Sequence, residues 1–260
     1  MSDAEQSAVA AAGALGVLPE EVIVLSTGVI GVPLPLGKVQ NGLRVAAGLL
    51  APGGGNDAAE AILTTDRGSK QSSVKGPGFT VGGMAKGAGM IHPRLATMLA
   101  VVTTDFPLEA GETDSFLRSA VDATFNCISV EGECSTNDAV VLLANAASGV
   151  RRGGAADEAF AAALHEVCGD LARQIVEDGE GATVLLEISV SGAASDDEAI
   201  TVARRFATSP LVKTAAFGRD PNWGRVLAAA GSAPWNGGFA QSRGTLPRSS
   251  KRVASAACSC

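Results

Sequence analysis

Between residues 155 and 191 the apolar periodicity switches from about 3.6 to 2, and that switch limits the folds open to the chain. Phe160, Leu164, Val167, Leu171 and Ile175 recur every three or four residues, which predicts an amphipathic helix over 155–177. Directly after it, "TVLLEISVSG" alternates, with Val184, Leu186, Ile188 and Val190 on one face of a strand. A one-sided helix beside a one-sided strand reads as a mixed α+β or α/β chain, with sheets layered against helices.

The remaining segments fill in that pattern. Residues 3–15 predict an alanine-rich helix with Asp3 as N-cap and Gly16 as its stop. "EVIVLSTG" predicts a buried strand emptying into a turn at Ser26-Thr27-Gly28. "GNDAAEAILTTDRGSK" reads as a short helix and then a strand, and "SSVKGPGFTVGGMAKGAG" as loop or irregular strand. Met98 to Thr103 predicts a central strand. "TFNCISVEGECSTNDAVVLLANAASG" reads as strand, polar turn, and a helix capped by Thr136 or Asn137 and closed by Gly149. Ser195 with Glu198 makes a capping box for another helix, which Pro210 ends ahead of a strand "LVKTAAF". After Gly231 the sequence is polar, basic and without periodicity, which predicts a disordered tail over 232–260.

At 260 residues the chain can bury a sizeable core, in one large domain or two modest ones. Its net charge of -7 argues against nucleic acid as a main partner. No apolar run approaches the roughly 18–20 residues of a membrane span. Met1-Ser2-Asp3-Ala4-Glu5 has neither a basic nor an apolar leader region, so a cytoplasmic protein without a signal peptide is expected. Cys127, Cys134, Cys168, Cys258 and Cys260 form no CxxC pair, which predicts free thiols and no metal site.

The stretch "KGAGMIHPRLATMLAVVTTD" raises the chemical question. It sets a permissive glycine loop directly before Ala96-Thr97 and then runs into apolar sequence. A threonine hydroxyl is a poor nucleophile without a base beside it. Cleaving the bond before Thr97 would supply one, because the new α-amino group has a pKa of roughly 8. Ala96 is small enough for such a cut, and Gly82, Gly83, Gly87 and Gly89 allow strain around it. A plain threonine at a strand start is the alternative.

A phosphate loop is excluded, since no hydroxyl residue follows Lys86-Gly87 in the required place. There is no G-x-S-x-G elbow to pair with His92 or His165, which read as solvated or structural. Ser26-Thr27-Gly28 offers a hydroxyl and a backbone N–H to an oxyanion, or is an ordinary turn.

Taken together, "STGVIGVPLP", "AILTTD", "VGGMAKGAGMIHPRLATMLAVVTTD", "TFNCISVEGECSTNDAVVLLAN", "EDGEGAT" and "LVKTAAFGRDPNWGRVLAA" resemble the bifunctional glutamate N-acetyltransferase/ornithine acetyltransferase family of arginine biosynthesis. These blocks fall in the family's order from residue 22 to about 230. The resemblance implies the self-processing DmpA/ornithine-acetyltransferase-like fold, cut between Ala96 and Thr97. It divides the chain into an α part, 1–96, a β part, 97–231, and a tail, 232–260, outside the likeness. Family members usually extend further at both ends, so the resemblance implies a shortened chain.

The implied activity moves an acetyl group from N-acetylornithine to glutamate through acetyl-Thr97, and some members also take it from acetyl-CoA. The same resemblance implies Thr27 and Gly28 as the oxyanion hole and Thr64, Lys86, Thr97 and Glu180 as substrate contacts, with Thr65 an alternative to Thr64. It implies no metal or bound cofactor, and a heterotetramer of two α and two β chains. "DPNWGR" marks the family as a structural turn with Trp223 packed on the core. Arg67 and Val184 depart from the family's usual threonine and lysine. Two other readings remain: an N-terminal-nucleophile amide hydrolase or aminopeptidase, and a non-catalytic truncated remnant.

Overall fold

The computed structural model describes residues 2–92, 98–109, 111–133, 135–234 and 250–259. The chain divides into two compact units, Met1–Ala61 and Ile62–Cys260.

In the first unit, helix α1 (Asp3–Leu15) is capped by Ser2 and not by Asp3. Ser2 Oγ accepts from the Glu5 N–H at 3.3 Å, and the Glu5 carboxylate accepts from the Ser2 N–H at 2.6 Å. This reciprocal pair satisfies two donors that a first helical turn leaves free, and Asp3 sits inside that turn. Gly16 closes the helix in the left-handed conformation, φ 74°. Helix α1 packs on α2 (Leu36–Gly48), and α3 (Gly55–Ala61) follows. "EVIVLSTG" is not the buried strand expected: residues 22–29 have no regular structure, and Val29 is 75% exposed. An apolar β-branched run becomes a strand only beside another strand, and the first unit holds none among its described residues.

The second unit is built on a four-stranded sheet. Strands β1 (Lys70–Gly76) and β2 (Phe79–Lys86) form an antiparallel hairpin in continuous register from Lys70↔Ala85 to Gly76↔Phe79. The glycine-rich stretch is therefore regular sheet. Helix α5 (Gly154–Glu177) explains why glycine is needed there: a Cβ on Gly83 would lie 3.1 Å from Leu171 Cδ1 and 3.3 Å from Val101 O. Small strand residues let the helix lie close.

Strand β3 (Leu99–Thr104) pairs antiparallel with β2, and β5 (Ala139–Ala144) runs parallel to β3, giving the order β1-β2-β3-β5. Between them come helix α4 (Glu112–Ala123) and the two-residue strand β4 (Ile128–Ser129). The helix expected over "NDAVVLLANAASG" is thus strand β5. A short apolar run does not distinguish helix from buried strand by periodicity, and pairing with β3 decides it.

The expected helix over 155–177 is α5, which presses Phe160, Leu164, Val167, Leu171 and Ile175 into the core. The Phe106 and Phe160 rings stack at 4.5 Å between centroids, while Phe79 and Phe116 meet Phe160 edge-on.

Strand β6 (Ala182–Ser191) belongs to a second sheet. Helices α6 (Asp196–Ala207), α7 (Pro210–Phe217) and α8 (Trp223–Gly231) follow it. "LVKTAAF" is helical, not extended. Pro210 occupies the first helical position, where its missing N–H costs nothing, and Ser209 Oγ accepts from the Val212 N–H at 3.4 Å. Trp223 does not pack on the core; it opens α8 and is 75% exposed.

Residues 250–259, expected within a disordered tail, form strand β7 (Ser250–Ser259), antiparallel to β6 and parallel to β4. The open edge of β6 offers backbone partners that periodicity in the 250–259 segment does not reveal.

Candidate active site

The "LTTD" loop between α3 and β1 is tied to the end of β2 by side chains. Lys86, the last residue of β2, is 2% exposed, and its Nζ donates to Thr64 Oγ1 at 2.7 Å. Asp66 anchors the loop from beneath. Its Oδ1 accepts from the Gly87 N–H at 2.6 Å and from Lys70 Nζ at 2.6 Å, and its Oδ2 accepts from the Thr64 N–H at 3.2 Å. Lys70 Nζ reaches Asp178 Oδ2 at 2.6 Å as well. Arg67 joins the same cluster, its Nε donating to Asp178 Oδ1 at 2.8 Å and its Nη2 to Glu177 O at 2.9 Å.

These bonds set the local electrostatics. Burial by itself would raise the Asp66 carboxyl, but hydrogen bonds from Lys70, Gly87 and Thr64 hold it below the ordinary carboxylate value. Burial lowers the Lys86 ammonium, with Asp66 and Asp138 partly opposing and Lys70 reinforcing the shift. Lys86 is thus a partly desolvated cation that gains from an arriving anion.

Beyond β2, residues 87–92 are fastened from two further directions. The Glu180 N–H donates to Ala88 O at 2.7 Å, and a Cβ on Gly89 would stand 2.9 Å from the Glu180 carboxylate carbon. Glycine at 89 is what lets Glu180 lie against this segment. Glu131 Oε1 accepts from the Ile91 N–H at 2.8 Å, and the Val130 N–H donates to Ile91 O at 2.7 Å. Burial raises the Glu131 carboxyl, as does the charge on Glu180, against the pull of the Ile91 N–H.

At the entrance to β3 the arrangement repeats. Asp138 Oδ1 accepts from the Met98 N–H. Burial pushes the Asp138 carboxyl up to about 7, although the Met98 N–H and Lys86 both pull it down. So both flanks of residues 93–97 are held through backbone N–H groups by carboxylates: Asp66 and Glu131 before, Asp138 after.

A model of the ArgJ family matches residues 1–255. The chain belongs to the ArgJ family. The match continues past Gly231, where the sequence reading placed the end of the likeness. Among the relatives is the arginine biosynthesis bifunctional protein ArgJ of Symbiobacterium thermophilum, 52% identical over 238 residues, covering 89% of this chain and 59% of that one. The protein of the same name from Mycolicibacterium paratuberculosis is 52% identical over 217 residues, covering 82% of this chain and 53% of that one. The chain therefore spans somewhat more than half the length of these ArgJ relatives. A crystal structure of the arginine biosynthesis bifunctional protein from Bacillus halodurans superposes with a TM-score of 0.51 at 44% identity, over 53% of this chain and 66% of that one.

Of the residues that the ArgJ resemblance singles out, Lys86 and Thr64 are in direct contact, and Glu180 borders the segment that continues from Lys86. It is the Thr64 hydroxyl, not that of its neighbour Thr65, that accepts from Lys86 Nζ. Thr27 is half-buried and Gly28 exposed; both lie in the first unit, where Gly28 faces Leu34. Ala96 and Thr97 lie outside the described residues.

His92 is half-buried, not solvated. Its Nδ1 is 3.1 Å from Ser129 Oγ, and burial together with Arg204 lowers its pKa. His165 is exposed on α5. Cys127 and Cys168 are buried; Cys127 Sγ donates to Asp122 O at 3.3 Å, and burial pushes the Cys168 thiol up to about 12. No group of three or more metal-ligating side chains occurs among the described residues, and none of their helices is long and apolar enough to cross a membrane.

Sequence reasoning missed Asp66, Glu131 and Asp138. Each stands inside a stretch that carries the family resemblance, but each binds a backbone N–H distant in sequence: Gly87 for Asp66, Ile91 for Glu131 and Met98 for Asp138. Only the fold brings those together.

Proposed function

We propose that the chain is a self-processing acetyltransferase that carries an acetyl group from N-acetylornithine to glutamate by way of Thr97. The observation that carries this reading is the buried Lys86 ammonium, 2.7 Å from the Thr64 hydroxyl, at the mouth of the segment leading to Ala96-Thr97. A desolvated cation beside a hydroxyl suits the α-carboxylate shared by both substrates, since binding it offsets the burial of the charge. Glu180 supplies an opposite charge for a substrate ammonium. The names of the relatives, arginine biosynthesis bifunctional proteins, agree with amino-acid substrates of this kind.

Cleavage of the Ala96–Thr97 bond gives Thr97 a free α-amino group. That amine takes the hydroxyl proton as Thr97 Oγ attacks the acetyl carbonyl carbon, and Thr27 and Gly28 receive the oxyanion. Collapse breaks the C–N bond, the proton passes to the departing nitrogen, and ornithine leaves. The glutamate amine then attacks the acetyl ester, Thr97 Oγ departs and regains a proton, and the cycle closes. Nothing in this route needs a metal or a bound cofactor; acetyl-CoA would enter as an alternative donor.

The sheet supports the proposal that the two pieces stay together. Strands β2 and β3 flank the cut and pair from Val81↔Thr104 to Lys86↔Leu99, so severing the connection leaves their ladder in place. We place the processed enzyme in the cytoplasm as a heterotetramer of two α and two β chains.

The test is direct. Incubated chain should run as two bands in denaturant, with Thr97 found by mass spectrometry as a new N-terminus; it should release one equivalent of ornithine from N-acetylornithine without glutamate and turn over only when glutamate is present. Thr97→Ala should stay uncut and inactive, and Thr97→Ser should keep part of both functions. A folded chain that transfers acetyl groups with the 96–97 bond intact would refute the mechanism. Acetate release without glutamate would instead mark an amide hydrolase.

A further inference from the structure

Glu131 lies outside the residue set that the ArgJ resemblance supplies, yet it is bonded to the turn against which Glu180 rests. That turn, Gly89-Met90-Ile91, is strained at its centre. Met90 has φ 54°, in the left-handed region that residues with a side chain rarely adopt. Such a conformation persists where the surroundings fix it, and strain of this kind gathers at ligand sites. The Met90 side chain is exposed, so its own packing does not hold the turn. The flanking bonds do.

After Met90, both backbone groups of Ile91 are engaged by two adjacent residues. The Val130 N–H donates to Ile91 O at 2.7 Å, and the Ile91 N–H donates to Glu131 Oε1 at 2.8 Å. Before Met90, the Glu180 N–H donates to Ala88 O at 2.7 Å, and the Glu180 carboxylate lies against the bare face of Gly89. The circle closes at Val130, whose Cγ1 would stand 3.0 Å from a Cβ on Gly179. Residues 88–91, 130–131 and 179–180 therefore pack as one ring. Within it, the Ile91–Glu131 bond depends on a side chain, so a substitution can remove it and leave the backbone bonds in place.

We infer that Glu131 is a positioning residue for the donor substrate: by holding Ile91 it fixes the 89–91 turn, and so sets where the Glu180 carboxylate meets the side-chain ammonium of N-acetylornithine. The inference rests on the acetyltransferase reading above. Glutamate carries a carboxylate where ornithine carries that ammonium, so Glu131 governs use of the donor and not of the acceptor. The local charges agree. Glu180 raises the Glu131 carboxyl, while Lys213, which donates to Val130 O, lowers it. The two carboxylates thus repel each other, and a cation arriving at Glu180 relieves that repulsion.

Steady-state kinetics of the full chain test this role, with N-acetylornithine and with N-acetylnorvaline, the same donor without its side-chain amine. In a ping-pong cycle kcat/KM for each substrate reports its own half-reaction, so the donor and acceptor steps are read separately. Glu131→Ala should lower kcat/KM for N-acetylornithine about tenfold and leave the values for glutamate and N-acetylnorvaline within about twofold of the parent. Glu131→Gln keeps an oxygen for the Ile91 N–H and should stay within about threefold for all three. A merely structural loss would reduce the active fraction and lower every value alike. In a Glu180→Ala background, Glu131→Ala should bring no further fall, because the carboxylate it places is gone. An equal fall for both donors, an equal fall in Glu131→Gln, or no fall in Glu131→Ala overturns the role of Glu131 and leaves the acetyltransferase reading standing, as does a full further fall without Glu180. A folded parent that transfers acetyl from neither donor overturns both.

Discussion

Asp66 shows how much one side chain can organise at this site. Its carboxylate is enclosed, and it ties the Thr64 and Gly87 backbones to Lys70, so it fixes the loop and the strand end that present Thr64 and Lys86. Removing one member of a buried ion pair leaves the other charge uncompensated. Asp66→Asn should therefore cost about 3–5 kcal/mol in urea unfolding, whereas loss of the exposed Arg118–Asp114 pair should cost under about 1 kcal/mol.

The same cluster sets an acid limit. Asp66 and Asp178 are both held below the ordinary carboxylate value of 3.8, so unfolding takes up protons there. Their contribution is complete above about pH 4 and is lost as pH falls through the lowered folded values. Urea midpoints measured from pH 6 to pH 3 should fall, and the fall should be shallower in Asp66→Asn.

Two glycines separate packing from positioning at the level of elements. In β2, Gly83 lies under α5, and an added methyl would meet Leu171 and the backbone of Val101 at 3.1 and 3.3 Å. Neither the strand nor the helix can yield cheaply, so Gly83→Ala should destabilise the fold by about 1–3 kcal/mol. At Gly89 the obstacle is the exposed end of the Glu180 side chain, which can swing aside. Gly89→Ala should thus leave the melting temperature nearly unchanged and raise KM several-fold by displacing Glu180. Equal loss of stability in both variants would show that Gly89 serves packing alone. Helix α5 is the element on which the second unit depends most, since Phe160 meets three other rings. Phe160→Ala should cost about 3–5 kcal/mol.

For the whole molecule, the proposed cut runs through a sheet and not between compact units. The packing division falls after Ala61, whereas β1 and β2 precede the cut and β3 and β5 follow it. The processed fragments should co-elute under native conditions and separate only in denaturant. Fragments that part in native buffer would show that the β2–β3 ladder does not hold them.

The sequence by itself determined the elements whose apolar period is long and unambiguous. Helix α5 and strand β6 follow their patterns because burying one face is enough to choose between helix and strand. It also marked Thr64, Lys86 and Glu180 through motifs, and two of them prove to touch. Tertiary structure alone decided the short runs. "AVVLLA" became a strand because β3 lay open beside it, "LVKTAAF" a helix because Pro210 and Ser209 start one, and "EVIVLSTG" neither because the described residues of its unit hold no strand to pair with it. The carboxylates on either side of residues 93–97 were out of reach of sequence reasoning for the same cause. Their chemistry lies in backbone N–H groups up to 40 residues away, and such a bond exists only after folding has brought its two ends together.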